Sequence, residues 1–203
     1  MTDIYQSRYL AHQAKKKEQM TGQGEEPQHL SEYMPVVAEK LLTHRRSQRL
    51  FNSEPIPGEI LDKIIGAATY APNSCNRHGV RLLTVIDRTE KTLLSGILVG
   101  GAGWVHRADT VVLFIADPDA YKSPNEKDFM HYCDVGFTAM NMWLMAEAHN
   151  VGACYINPNI MPVNKPIFTE RFGEGIFCGA LALGNYDIRV TRADHPDIEN
   201  IMI

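Results

Sequence analysis

Long apolar runs are scarce. The longest, such as Thr110 to Ala116, falls far short of the roughly 20 residues that cross a bilayer, so no membrane span is expected. The opening MTDIYQSRYL has no apolar core of a secretory leader, and the four cysteines, Cys75, Cys133, Cys154 and Cys178, include no CxxC pair. Reduced thiols in a cytoplasmic protein are the expectation. Positive charge is also short. Twenty Lys and Arg stand against 24 Asp and Glu, a net charge of -4, so the whole molecule lacks the field that nonspecific nucleic-acid binding needs. Any polyanion site must be local. No repeat of 20 to 50 residues occurs, which excludes solenoids and arrays. What is present is 203 residues, 44% hydrophobic and 22% charged, ordinary usage for one folded domain with or without an arm.

Residues 1–30 are polar, with Lys15, Lys16, Lys17 and then TGQGEEPQ, and read as an N-terminal arm, extended or loosely helical. Residues 31–203 read as the folded domain. Ser31 is placed to cap a helix carrying Met34, Val37, Ala38, Leu41 and Leu42 at helical spacing. A second helix, EILDKIIGAATYA, repeats Ile60, Leu61, Ile64, Ile65 and Ala68, and stops before Pro72. VRLLTVID and TVVLFIAD predict strands buried on both faces. Between them GGAGW lacks GxGxxG spacing and reads as a flexible loop. Lys127 to Asn150 predicts a long helix, apolar on most sides through Phe129, Cys133, Phe137, Met140, Trp143 and Leu144, which belongs in a core or interface. Met140, Met142 and Met145 read as core filler. GACYIN and FCGALALGNY predict two more strands around a short helix near KPIFTERFG. The order implies an α/β or α+β sandwich, a mixed central sheet flanked by helices.

Few residues advertise chemistry. Arg45, Arg46, Ser47 and Arg49 put three guanidinium groups and a hydroxyl within five positions, and guanidinium forks match phosphate oxygens. The same cations also suit a helix C-terminus. The loop APNSCNRHG can present amides to a ligand, or can be a plain turn. His78 has no partner visible in the sequence, and His131 and Cys133 lie on different faces of a helix, a poor start for a metal site. Lys15 to Lys17 read as a solvated face.

In order, the helix ending in RRSxR, the A-P-x-S-x-N loop, D-x-G-x-x-x-x-N-M and LGN(Y)D resemble the FMN-dependent nitroreductase family over about residues 33–203. The resemblance implies an FMN oxidoreductase that takes hydride from NADH or NADPH onto flavin N5 and reduces a small, aromatic or nitroaromatic acceptor. It implies an intertwined homodimer with two interfacial sites, the Gly136, Ala139 and Ala146 side of the long helix permitting close approach. Arg45, Arg46 and Ser47 would hold the phosphate and ribityl chain, and Arg49 would approach N1 and O2. Pro72, Asn73, Ser74 and Asn76 would form the cofactor loop, with Asn76 at the pyrimidine edge. Arg189 or Arg192, with Arg192 preferred, would be a second phosphate arginine. Asn157 or Asn159 would donate to N5, since Pro158 has no N–H. Where many relatives carry Gln-Pro-Trp after the loop Asn, this chain has Arg77, His78, Gly79 and Val80, so its acceptor side is atypical. Reductive dehalogenation, flavin fragmentation and dehydrogenation are alternatives on the same fold. A different class is a basic-patch module in which Lys15 to Lys17 and HRRSQR bind nucleic acid or another polyanion.

Overall fold

The computed structural model describes residues 30–202. The chain divides into two units, Met1–Glu39 and Lys40–Ile203, and the second carries the sheet and the candidate site residues. The arm expected for residues 1–30, with its lysine run, lies outside the described residues except at its last position. Helix α1, Leu30–His44, begins one residue before the predicted cap Ser31.

Four strands build the sheet: β1 Val80–Val85, β2 Thr110–Ala116, β3 Gly152–Ile156 and β4 Ile176–Gly184. Their order is β1-β2-β4-β3, antiparallel at each step. Among the described residues the expected mixture of directions survives only as a parallel bridge between Ser47 and Ala153, outside the named strands. β2 is one of the two central strands and is buried, and its alternation divides the core in two. Val111 and Leu113 join Phe51, Leu94, Leu98, Phe168 and Phe172 on one face. Val112, Phe114 and Ala116 join Ile64, Val135, Met142, Leu181 and Leu183 on the other. β1 corrects its expectation: as an edge strand it buries only Val85 fully and leaves Leu83 exposed.

Helices cover both faces. α2, Gly58–Gly66, and α4, Pro124–Ala148, supply the second core; α3, Arg88–Ile97, and α5, Lys165–Phe172, supply the first. α4 starts earlier than predicted because Ser123 and Glu126 close a capping box with Pro124 in the first turn. Of its methionines only Met142 is fully buried, while Met140 is exposed. Ala139 and Ala146 pack into the core, whereas Gly136 is exposed. The GGAGW segment ends one single helical turn, Val99–Gly101, and leads through a turn into another, Val105–Arg107. It is packed: a Cβ at Gly101 would lie 2.7 Å from the Val105 side chain.

β4 contains a bulge where the register slips between Phe114 and Ile115. Gly179 there has φ +125°, and a Cβ would collide with the Tyr155 hydroxyl. That hydroxyl donates to the Cys178 carbonyl. Only glycine permits both the backbone conformation and the approach.

Candidate functional site

α1 ends at His44 and the chain turns to run beside β3. Gln48 N–H donates to the Ala153 carbonyl at 3.0 Å, and Ser47 bridges Ala153. The four candidates in this segment have different surroundings. Arg46 donates to the Thr43 and Arg45 carbonyls at 2.8 and 2.9 Å, satisfying the open end of α1 as a helix-terminal cation does. The Arg45 guanidinium lies 4.4 Å from the Trp143 ring centroid, a cation–π contact. Trp143 in turn donates to the Arg46 carbonyl at 3.2 Å. Arg49 sits 5.8 Å from the Trp104 ring centroid. The buried Cys154 thiol interacts with this cluster: burial raises its pKa, opposed by the Arg49 charge, hydrogen bonds from Ser47 and Arg49, and the Arg45 charge.

The C-terminal segment returns here. Arg189 donates to the His44 carbonyl at 2.5 Å, to Tyr186 Oη at 3.0 Å and to the Glu147 carboxylate. Arg189 therefore sits beside the Arg45–Ser47 segment, whereas Arg192 is exposed further along the tail. Asn185 and Asp187 of the LGNYD motif anchor the segment after Phe51, through Asn185 to the Pro55 carbonyl at 3.0 Å and Asn52 to Asp187 at 2.9 Å.

At the other end of β3 comes Asn157. Leu98 bridges Ile160, and Val99 N–H donates to the Asn159 carbonyl at 3.0 Å. Trp104 Nε1 donates to the Gly100 carbonyl at 3.0 Å. Gly100 is close enough that a Cβ would touch Asn157 Oδ1 at 3.4 Å. Arg49, Trp104, Gly100 and Asn157 thus form one connected wall. Asn159 N–H donates to the Asn157 carbonyl at 2.8 Å, which leaves the Asn157 amide and the two carboxamides as the donors of this turn. From Ala153 to Asn157 is about 13 Å of extended chain, with cations at one end and amide groups at the other.

The loop at 72–78 is held elsewhere. Ser74 N–H donates to Asp134 at 3.0 Å, and Tyr121 donates to the other oxygen of that carboxylate at 2.8 Å. Burial and that bond push the Tyr121 phenol pKa upward. Arg77 pairs with Glu126 at 2.8 Å; the Ser123 amide, then Arg77, hold Glu126 below the usual carboxylate range. Asn73 accepts from His78 N–H at 3.0 Å. Cys75, Asn76 and His78 all have positive φ, between 51° and 57°, strain of the kind that collects at ligand-binding loops. Asn76 and Cys75 are exposed. The D-x-G-x-x-x-x-N-M motif is the support of this region: Asp134 holds Ser74, Asn141 reaches the Ala67 carbonyl at 3.4 Å, and Met142 fills the core.

On α4, Asp134 and Trp143 are nine residues apart, about 13 Å along the axis. Within one chain the fold brings Arg45, Ser47, Arg49, Asn157 and Arg189 along β3 and carries Pro72, Asn73, Ser74 and Asn76 to a different stretch of α4. Sequence reasoning missed Trp143, Trp104, Cys154, Gln48 and Asp134 as neighbours of these residues. Asp134 carried a signal in its place in a motif, and Gln48 filled the variable place of RRSxR.

Residues 42–97 and 96–163 match the model of the nitroreductase family. The chain belongs to the nitroreductase family. A 78-residue stretch is 42% identical to FMN reductase [NAD(P)H] of Bacillus subtilis (strain 168), covering 38% of this chain and 31% of that protein. The match thus spans under a third of that relative's length. Two solved structures share the nitroreductase fold. An NADH dehydrogenase/NAD(P)H nitroreductase from Parabacteroides distasonis superposes with TM-score 0.71 at 20% identity, over 83% of this chain and 97% of that one. A Desulfovibrio desulfuricans nitroreductase solved in complex with FMN gives TM-score 0.70 at 21% identity, over 82% and 95%. Among the described residues no helix is long and apolar enough to cross a membrane.

Proposed function

We propose that this nitroreductase-family chain is an FMN-dependent oxidoreductase that takes hydride from NADH or NADPH and reduces a small aromatic or nitroaromatic acceptor. The carrying observation is the polarity of the β3 edge: Arg45, Ser47 and Arg189 at one end, Arg49, Trp104 and Asn157 towards the other. The donor chemistry fits FMN. A dianionic phosphate needs charge-assisted donors, and of these cations Arg189 is paired with Glu147. Bound FMN would supply the hydride-accepting and electron-delivering chemistry. The chain's own residues would bind and orient it. Arg45 and Ser47 grip phosphate and ribityl oxygens, with Arg189 as the second phosphate arginine in preference to Arg192. Arg46, committed to the end of α1, contributes charge rather than contacts. Arg49 favours negative charge at the pyrimidine side, and Asn157 offers a donor near N5.

The separation of the 72–76 loop from this edge supports a homodimer in which the loop of a second copy, with Asn76, completes each site. α4 supports the same reading, because Phe129, Tyr132, Phe137 and Met140 form an exposed apolar stripe at helical spacing. Four free thiols suit a reducing cytoplasm.

The test is an absorbance titration of the purified protein with FMN, followed by addition of NADH or NADPH without oxygen. Saturable binding, bleaching by the nucleotide and recovery on adding a nitroaromatic compound are expected. A protein that stays colourless and instead binds polyanions, with affinity falling steeply with salt, overturns the proposal in favour of the basic-patch module.

A further inference from the structure

We propose that Gln48 is the positioning residue that sets Arg189 for the phosphate of FMN, a role that rests on the cofactor reading above. Gln48 occupies the variable place in RRSQR and is 2% exposed. In extended chain successive side chains alternate, so Gln48 points opposite to Ser47 and Arg49, inward under the tail. Its carboxamide brackets Arg189. Nε2 donates to the Ile188 carbonyl at 2.8 Å, and Oε1 accepts from Val190 N–H at 3.1 Å. One side chain thus replaces the two rungs that a neighbouring strand would supply, and a primary amide is the group that both donates and accepts in that way. The tail needs this anchor, because no helix or strand forms between Gly184 and Ile198.

The surroundings are shaped to admit Gln48. A Cβ on Gly152 would stand 2.7 Å from Gln48 Cγ and 2.9 Å from the Tyr186 ring, so the bare backbone of β3 makes the space. The guanidinium of Arg189 then reaches the His44 carbonyl and Glu147, one residue from Arg45. Cations from positions 45 and 189 are joined through the residue that lies between Ser47 and Arg49. The tail carries the arginine; Gln48 decides where it stands.

The test compares FMN with riboflavin, which lacks the phosphate, by fluorescence titration of the full-length protein. The variants are Gln48→Met, of similar volume but unable to bond either group, Arg189→Ala, and the pair combined. Gln48→Met is expected to weaken FMN about tenfold, the scale of the two lost backbone-anchoring bonds, while riboflavin affinity stays within about twofold. The double variant is expected to bind FMN no more weakly than Arg189→Ala alone. Equal loss for both flavins, or losses that add in the double variant, overturns the role. Should Gln48→Met not fold, Gln48→Asn is read in the same way: the shorter, neutral carboxamide cannot reach both Ile188 and Val190, and it must still lower FMN affinity more than riboflavin affinity. An unmodified protein that binds no FMN overturns the cofactor reading itself, whereas FMN binding untouched by Gln48→Met overturns only the role of Gln48.

Discussion

Arg45 and Arg49 are neighbours in sequence with separate tasks. Arg45 lies over Trp143 and beside the end of α1, so its charge stands where a phosphate would meet Ser47 and Arg189. Arg45→Ala is expected to weaken FMN by about 1.5 to 3 kcal/mol, roughly 10- to 150-fold, the scale of one charge-assisted contact. Isothermal titration checks it, and an unchanged constant removes the residue from the site. Arg49 rests over Trp104, on the side of Asn157. Replacing it by Gln keeps hydrogen bonding and removes the charge, so the midpoint potential of the bound flavin is expected to fall while the fold survives. Spectroelectrochemistry reads this directly, and a potential at or above that of the parent contradicts it. These residues stand out in the sequence because RRSxR is a local pattern. Arg189 was not separable from Arg192, because its position depends on Gln48, 141 residues earlier, and on Glu147. Trp143 and Cys154 read as core letters until the fold placed them against arginines.

At the scale of elements, α4 does more than fill the core. It carries the carboxylate that fixes Ser74, the glutamate that pairs with Arg77, and a buried histidine. Burial lowers the His131 pKa against the pull of the Lys127 carbonyl and the charges of Asp128 and Asp134. The unfolded chain therefore takes up this proton more readily than the folded one. Stability that is intact above about pH 6.5 is lost as pH falls through the folded pKa. Urea unfolding between pH 7.5 and 5 is expected to show that decline, and His131→Gln is expected to flatten it. The β4 bulge yields a second expectation: Gly179→Ala, with φ +125° and Tyr155 in the way, lowers stability by about 1 to 3 kcal/mol in thermal unfolding. The elements were largely visible in the sequence, since helical and strand periodicities are local. β2 was read correctly as buried on both faces, but β1 was read so wrongly, because an edge place in the order β1-β2-β4-β3 is a property of pairing rather than of the strand's own letters. The strands' antiparallel directions were hidden for the same reason. The α4 boundary moved because a capping box at Ser123 was overlooked.

Across the whole molecule the two groups of candidate residues attach to distant parts of α4, and a second copy would join them. The exposed stripe of Phe129, Phe137 and Met140 is where that copy would dock. Phe137→Glu is expected to yield a folded monomer by sedimentation, with flavin affinity at least about tenfold weaker, since a desolvated charge opposes closure of an apolar interface. The most direct measurement is a crystal structure of the protein with FMN. A dimer is expected in which Arg45, Ser47 and Arg189 of one chain surround the phosphate, Asn157 of that chain lies within about 3.2 Å of N5, and Asn76 of the second chain meets the pyrimidine edge. Flavin held away from the β3 edge, or held entirely by one chain with the 72–76 loop of its partner remote, would contradict it.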